Sequence, residues 1–212
     1  MVPLVLSEKA DSLPLLSRTP HEWGHAALAD PIALLTDHAF LEKKAALNAM
    51  ELMTRWPGEW VPGWVEIMTR VARDEAAHLA QVVKILVSRG GHLGRLHKCQ
   101  YATDLRELVR KGETGDTLDR LLVSALIEAR SCERFSVLAE VAQEKNDPEL
   151  AAFYKALFSS EHGHYKVFLR LGYKTMDKAA VDRRWNQLLI AEAKVLANQA
   201  PGPRIHSGYV QA

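Results

Sequence analysis

The fold is decided by a pattern that occurs twice, Glu-Ala-Ala-His at residues 75–78 and Glu-His-Gly-His at residues 161–164. In each copy the first glutamate and the last histidine are three residues apart, which places both side chains on one face of a helix. A further glutamate stands 33 residues before each copy, Glu42 before the first and Glu128 before the second. The whole set therefore recurs at an offset of 86 residues.

The single glutamates lie inside apolar runs. Glu128 ends the stretch Leu-Leu-Val-Ser-Ala-Leu-Ile-Glu at residues 121–128, and Glu42 lies between Ala-Phe-Leu at residues 39–41 and Ala-Ala-Leu at residues 45–47. A buried carboxylate is costly unless it is paired or bound to a metal. Ordinary exposed Glu/His pairs, the alternative, would not explain Glu128. The predicted metal ligands are Glu42, Glu75, His78, Glu128, Glu161 and His164.

This ligand set predicts a two-metal site in a helical bundle. One glutamate from each of two helices and a Glu-x-x-His from each of two others bind two metals in four-helix bundles. Four carboxylates balance the charge of two divalent cations, and oxygen with imidazole ligands favours iron or manganese. Six ligands leave open positions for dioxygen, water or substrate. By symmetry, we expect Glu42 and His78 on one metal, Glu128 and His164 on the other, and Glu75 and Glu161 as bridges.

The segments around these residues are predicted to be long helices. Ala, Leu, Glu, Lys and Arg dominate them, and strand-like alternation is missing. Asp-Pro at residues 30–31 and 147–148 indicates helix starts, and Gly-Gly at residues 90–91 indicates a helix end. The long helices are predicted at about residues 30–55, 62–89, 116–145 and 147–172.

A long crossover separates the two helical pairs. Residues 90–115 contain a predicted loop at 92–98 and a short helix at about 104–111. An up-down pair, a crossover and a second up-down pair form the ferritin-like connection.

The C-terminal part adds one more helix. It is predicted at about residues 177–198 and is followed by an irregular tail from Pro201. At roughly 150 residues per domain, the length favours one domain. We therefore predict an all-α, ferritin-like four-helix bundle with a long crossover and an additional C-terminal helix. It forms a single domain over residues 1–212, with the core bundle at about 30–172 and the C-terminal helix and tail at 177–212.

Composition and charge exclude several classes of protein. The net charge of +1 excludes a uniformly basic nucleic-acid binder and an acidic tail protein. Two cysteines, Cys99 and Cys132, cannot form a disulfide framework. Charges at Glu8, Lys9 and Asp11 argue against a signal peptide, and no apolar run is long enough for a membrane span. We expect a reduced, cytoplasmic protein that is not bound to a membrane.

Two residues are predicted to support the metal ligands. Asp74 precedes Glu75, and we expect its carboxylate to orient His164 across the bundle, since metal-bound histidines usually donate their second ring proton. The alternative is an exposed aspartate. His38 lies one helical turn before Glu42 and is expected to act behind the ligands or to pack in the core.

Three tryptophans, Trp56, Trp60 and Trp64, frame the first turn between helices. Packing under a loop is the favoured interpretation, and a stacking platform for a nucleobase is the alternative. Cys132, one turn after Glu128, is expected to behave as a small buried apolar residue.

The chain resembles the ferritin-like di-iron carboxylate proteins, and more closely the MiaE family of tRNA hydroxylases acting on 2-methylthio-N6-isopentenyladenosine. The resemblance extends from about residue 34 to residue 208. Its blocks are residues 34–38 (Leu-Leu-Thr-Asp-His), 42–46 (Glu-Lys-Lys-Ala-Ala), 74–78 (Asp-Glu-Ala-Ala-His), 128–135 (Glu-Ala-Arg-Ser-Cys-Glu-Arg-Phe), 161–165 (Glu-His-Gly-His-Tyr) and 203–208 (Pro-Arg-Ile-His-Ser-Gly).

This resemblance implies an oxygen-dependent monooxygenase. Its substrate would be the isopentenyl group of a hypermodified adenosine beside the tRNA anticodon, and the six ligands would act through two iron ions. Dioxygen would be the co-substrate. Two electrons would come from a separate reductase, because the chain shows no flavin, Rossmann or iron–sulfur motif.

Basic residues offer weaker support for an RNA partner. Gathered on one face they could neutralise phosphates, but cations are also favoured at helix C-termini. The candidate tRNA contacts are Arg95, Lys98, Lys166, Arg170 and Lys174. Further clustered cations are Arg89, Arg106, Arg110, Lys111, Arg183 and Arg184.

Other functions remain open for the same ligands. Iron storage or detoxification in a ferritin-like shell, a di-manganese catalase and a fatty-acyl or alkane oxygenase all use a related centre. The sequence leaves the oligomeric state open, either a monomer or a small oligomer.

Overall fold

The computed structural model describes residues 9–112 and 115–209. These residues form helices joined by turns and contain no β-strand; Pro201 and Gly208 make one isolated bridge. The helices are α1 (His21–Ala27), α2 (Pro31–Leu52), α3 (Trp64–Ser88), α4 (Gln100–Glu107), α5 (Asp116–Glu144), α6 (Pro148–Gly172) and α7 (Lys178–Ala197).

The predicted helix starts at the two Asp-Pro pairs are confirmed. Asp30 accepts a hydrogen bond from the backbone of Ala33 at 2.9 Å, and Asp147 accepts one from Leu150 at 3.1 Å. These side chains satisfy amide groups that the first helical turn leaves without partners. α2 and α6 therefore begin with the same local signal.

The bounds of one predicted turn and one predicted helix differ from the structure. The α2–α3 turn is longer than expected, because the buried Trp64 indole donates to the carbonyl of Leu52 and closes it at 2.9 Å. The crossover helix α4 lies four residues earlier than the predicted 104–111, because Tyr101 and Leu105 are its buried residues. Arg110 leaves the helix and binds Asp119 on α5.

The predicted architecture is confirmed. α2 packs extensively on α3, and α5 on α6, while α3 and α6 meet over a short region. The crossover carries α4 against α5 and α7, and α7 packs on α5. The sequence missed α1, a short helix that packs on α5 through buried residues including Trp23. The predicted absence of a signal peptide concerns residues that lie partly outside the described ones, at 1–8. None of the described helices is long and apolar enough to cross a bilayer.

The tail after α7 is irregular, as predicted, but it is held firmly. Arg134 on α5 donates to the carbonyls of Ile205 and Ser207, at 3.1 and 2.9 Å. Asp37 on α2 accepts from the backbone of Ile205 at 2.8 Å, and the Trp23 indole donates to the Ser207 hydroxyl. These contacts fix the tail beside the middle of the bundle.

A buried ion network joins α5 to α7 and α4. Arg130 donates to Glu192 at 2.8 and 3.1 Å and to Glu133 at 3.0 Å. The Tyr101 hydroxyl also donates to Glu192, at 2.9 Å. Both Arg130 and Glu192 are fully buried. Each charge therefore depends on the others for compensation.

Replacing Glu192 with alanine is expected to lower the free energy of unfolding by about 3–5 kcal/mol, because Arg130 would remain buried without its main partner. Chemical denaturation monitored by circular dichroism measures this change. Lys194→Ala, which alters an exposed residue of the same helix, is the control and should leave the midpoint almost unchanged. Equal midpoints for the Glu192 and Lys194 variants would show that the network contributes little.

Candidate metal centre

The four bundle helices bring the six predicted ligands into the interior. α2 carries Glu42, α3 carries Glu75 and His78, α5 carries Glu128, and α6 carries Glu161 and His164. Each of them exposes at most 7% of its surface. The predicted burial of four carboxylates and two histidines is confirmed.

Two histidine nitrogens face the same pair of carboxylates. The Nδ1 atom of His78 lies 2.9 Å from Glu161 Oε1 and 3.4 Å from Glu75 Oε2. The Nδ1 atom of His164 lies 2.6 Å from Glu75 Oε1 and 2.9 Å from Glu161 Oε2. Glu75 and Glu161 thus present one oxygen to each histidine. Carboxylates that bridge two metals need this arrangement.

The remaining glutamates adjoin this pair. Glu42 Oε2 lies 3.6 Å from His78 Nδ1, and ligand atoms of Glu42, Glu75, His78 and Glu161 all fall within 4.8 Å of one another. Glu128 adjoins Glu161, and burial together with the charges of Glu161 and Glu75 holds the pKa of Glu128 well above its ordinary value. The six side chains form one cluster.

The cluster fits bound cations. Glu75 Oε1, His78 Nδ1 and Glu161 Oε1 are buried, and none has an aligned hydrogen-bond partner among the described residues. Buried polar atoms rarely lack partners, so these three atoms indicate a missing partner at their centre. Carboxylate oxygen with imidazole nitrogen is a donor set that suits iron or manganese.

Protons balance the charge of the metal-free cluster. Burial and the neighbouring carboxylate of Glu161 raise the pKa of Glu75 to about 8. Burial alone would lower the pKa of His164, but its hydrogen bond to Glu161 and the nearby Glu75 raise it to about 10. For His78, burial is likewise outweighed by the surrounding carboxylates, and its pKa lies well above the ordinary value. These groups hold protons where metals would bind.

His38 and Asp74 each adjoin one proposed ligand, and Asp74 is half-buried. His38 is fully buried, and its Nε2 lies 2.6 Å from Glu42 Oε1. Asp74 Oδ2 lies 3.7 Å from His164 Nε2, the ring nitrogen that points away from the carboxylates. Asp74 also accepts hydrogen bonds from Arg73 at the surface, at 2.8 and 3.1 Å.

A cavity of about 410 Å³ leads to the carboxylates from the α2 and α5 side of the bundle. All four glutamates border it at the inner end. Apolar side chains of both helices, including Leu41, Val123 and Ile127, form part of its wall. His78 and His164 do not border the cavity. They lie on the α3 and α6 side of the cluster, and the cavity reaches the cluster from the opposite side.

The outer part of the cavity is bordered by cations. Lys44 on α2, Arg106 on α4 and Arg120 on α5 line it, with Glu51 among them. Arg106 belongs to a predicted basic cluster, but Lys44 and Arg120 were not singled out. The sequence could not identify these two residues, because the packing of α2, α4 and α5 decides which side chains line the cavity.

The five predicted tRNA contacts lie elsewhere. Within the described residues, none of them borders the cavity that reaches the carboxylates. Lys98 borders a second cavity of about 370 Å³, which is formed by the crossover and the tail. All five predicted contacts are exposed: Arg95 and Lys98 precede α4, Lys166 and Arg170 lie on α6, and Lys174 follows α6.

Several expectations about other residues need correction. Arg89 is engaged by Asp147 and Glu149, so it is no longer a free cation. Arg110 and Arg184 are both bound to Asp119. These three arginines join helices, so their charges are largely used within the fold.

The tryptophans also differ from the favoured interpretation. Trp64 is fully buried, as packing predicts, but Trp56 and Trp60 are 41% and 57% exposed. Packing under a loop is therefore wrong for these two. Cys132 is buried, as predicted.

The tail contributes residues to the cavity that sequence reasoning missed. Ile205 and His206 both border it. The His206 ring stacks on Tyr101 with centroids 4.4 Å apart, and its Nε2 lies 3.3 Å from the Ser131 hydroxyl. The resemblance of residues 203–208 was the one sequence signal for this segment.

Two known proteins of similar sequence carry the same name. A Pseudomonas putida protein named tRNA 2-(methylsulfanyl)-N(6)-isopentenyladenosine(37) hydroxylase is 38% identical over 194 residues, covering 92% of both chains. A Salmonella typhimurium protein of the same name is 28% identical over 172 residues, covering 81% of this chain and 61% of its own.

A solved structure shares the fold. It is a Synechococcus protein described as having aldehyde deformylating oxygenase activity, at 36% identity and a TM-score of 0.84. The match covers 93% of this chain and 98% of the other. The family model described as tRNA-(MS[2]IO[6]A)-hydroxylase (MiaE) matches residues 6–207. With nearly its whole length matched, the chain belongs to the MiaE family of tRNA hydroxylases.

Proposed function

We propose that the protein is a di-iron, oxygen-dependent monooxygenase that hydroxylates the isopentenyl group of 2-methylthio-N6-isopentenyladenosine beside the tRNA anticodon. The observation that carries the proposal is the cavity that ends on the carboxylates Glu42, Glu75, Glu128 and Glu161. Family membership supplies the substrate class. A tRNA substrate implies a cytoplasmic enzyme.

The size and lining of the cavity support this substrate. Its volume of about 410 Å³ lies near the lower end of small-molecule sites, which run from about 300 to 1,000 Å³. It can admit an isopentenyl group with its base, while the RNA backbone stays outside. Leu41, Val123 and Ile127 offer apolar contact to the hydrocarbon, and Lys44 and Arg106 offer charge to phosphates.

The residues divide the catalytic work between holding metals and orienting substrate. Glu42 and His78 would hold one iron, Glu128 and His164 the other, and Glu75 and Glu161 would bridge them. Bound iron would supply the redox chemistry that activates dioxygen. The cavity wall holds the allylic methyl group toward the centre and limits access of bulk water.

The balance of the reaction requires an electron donor. One dioxygen, two electrons and two protons convert the C–H bond to an alcohol and release one water. The isopentenyl carbon itself is oxidised by two electrons, and dioxygen accepts four. We therefore propose that a separate reductase supplies the other two.

The Synechococcus relative favours one alternative, an aldehyde substrate for the same centre. A fatty aldehyde would occupy the apolar wall but would leave the cations at the outer part of the cavity unused. Iron storage and a di-manganese catalase are less favoured, because the matched family consists of tRNA hydroxylases.

We further propose that Asp74 orients His164 from outside the ligand set. Asp74→Asn is expected to lower metal affinity and turnover by about 10–100-fold, as is typical when the partner of a metal-bound histidine is lost. Metal titration and steady-state rates measure both effects. Arg73→Ala is the matched control, because it removes a partner of Asp74 but leaves the carboxylate in place. Full metal affinity and turnover in Asp74→Asn would contradict this role.

Nucleoside analysis tests the proposed function in cells. Loss of the gene should leave the isopentenyl adenosine of tRNA without its hydroxyl group, and its return should restore the hydroxylated nucleoside. Return of the Glu161→Gln variant should not. Unchanged hydroxylation without the gene would refute the proposed substrate, as would aldehyde conversion by the purified protein without action on tRNA.

A further inference from the structure

Two exposed tryptophans form a surface pair in the turn between α2 and α3. The ring centroids of Trp56 and Trp60 are 5.3 Å apart, and the ring planes meet at 74°. With 41% and 57% of their surfaces exposed, both rings keep large areas open to solvent. Trp64, four residues later, is by contrast fully buried and closes the turn. The fold therefore needs Trp64, but it does not bury the other two.

A chain of ion pairs connects this turn to the cavity. Arg55, which directly precedes Trp56, contacts Glu51 at 2.9 Å and Asp116 at 3.6 Å. Arg120 contacts the same oxygen of Glu51 at 3.3 Å. Glu51 and Arg120 both border the cavity. The turn that carries the tryptophan pair is thus joined by ion pairs to two residues that border the proposed substrate cavity.

The chemistry of this surface matches a single-stranded nucleic acid. Aromatic side chains stack on unpaired bases, and neighbouring arginines contact phosphates or lie over base planes. An edge-to-face pair leaves indole faces open for such stacking. Arg55 at the base of the pair is already held by Glu51 and Asp116, so the open indole faces are what this surface offers to a base. A single exposed tryptophan would carry little weight, whereas two in ring contact on one turn indicate a binding surface.

We propose that Trp56 and Trp60 form a stacking platform for an unpaired base of the same RNA strand whose modified adenosine enters the cavity. This inference rests on the proposed function. Glu51 lies nine residues after Glu42, which is about 14 Å along α2. Trp56 lies five residues further, beyond the end of α2, so at about 3.4 Å per stacked nucleotide the platform meets a base several nucleotides from the modified one. The platform strengthens binding of the RNA and takes no part in the oxidation.

The test compares two substrates in the metal-loaded enzyme. Trp56→Ala and Trp60→Ala should each weaken affinity for an anticodon stem-loop RNA by about tenfold. Hydroxylation of the isolated modified nucleoside, which cannot reach the platform, should keep its wild-type rate. Trp56→Phe and Trp60→Phe should recover most of the RNA affinity, because an aromatic face is retained. Tyr173→Ala, at an exposed aromatic residue after α6, is the control and should bind RNA normally.

The outcomes separate the platform from the proposed function. Wild-type RNA affinity in both alanine variants, with nucleoside hydroxylation intact, would overturn the platform. The same result with reduced self-association in ultracentrifugation would assign the pair to an interface between two copies of the chain. A wild-type enzyme that hydroxylates neither substrate would instead refute the proposed function.

Discussion

Replacing Glu128 or His164 with alanine is expected to abolish turnover and to remove one of the two metals. Both residues are proposed to hold the same metal, while Glu75 and Glu161 contact both histidines. Loss of either ligand should therefore empty one position and leave Glu42 and His78 able to hold the other metal. Metal analysis of the purified variants and hydroxylation assays measure the two effects.

The fold should survive these substitutions. Burial, together with the neighbouring carboxylates, holds the pKa of Glu128 well above the ordinary range, so its removal relieves an unfavourable environment in the metal-free protein. Glu144→Ala is the matched control on the helix of Glu128, since Glu144 is exposed and its carboxylate pairs with the exposed or half-buried His21 and His25, outside the cluster. Two metals per chain and normal turnover in both ligand variants would show that the proposed ligands are wrong.

Metal loading is expected to release about three protons per chain at neutral pH. In the metal-free cluster the pKa of Glu75 is raised to about 8 and that of His164 to about 10. The pKa values of His78 and Glu128 lie well above their ordinary values. Glu75, His78 and His164 therefore bind a proton near pH 7 and must lose it to ligate a cation.

The sign of the pH dependence follows from this competition. Because protons and cations bind the same atoms, metal affinity should fall as the pH falls, by up to about tenfold per pH unit for each proton released. Above about pH 8 the contribution of Glu75 disappears, since the group is then already ionised. Calorimetric titrations in two buffers of different ionisation enthalpy count the protons. Equal heats in both buffers, or a pH-independent affinity, would contradict the protonated cluster.

The candidate ligands could be predicted because their signal is local and repeated. Glu75 with His78 and Glu161 with His164 each share a helix face, and buried glutamates such as Glu128 stand out in an apolar run. Helix starts at Asp30 and Asp147 follow from capping by neighbouring residues. Such features need no knowledge of which helices meet in space.

The cavity and its surroundings depend on contacts between distant segments. Lys44 and Arg120 face the same space only because α2, α4 and α5 surround it, and His206 reaches it because Arg134 and Asp37 hold the tail. Exposure of Trp60 likewise depends on how Trp64 closes the α2–α3 turn. No pattern within a single helix contains this information.

Isotopic labelling tests the central claim most directly. Purified protein loaded with iron and supplied with an electron donor is given modified tRNA under isotopically heavy dioxygen, and the nucleosides are analysed by mass spectrometry. The proposed function predicts one labelled oxygen atom in the isopentenyl group, and none in protein that carries Glu161→Gln. An unmodified isopentenyl group, or a hydroxyl oxygen that comes from water, would contradict it.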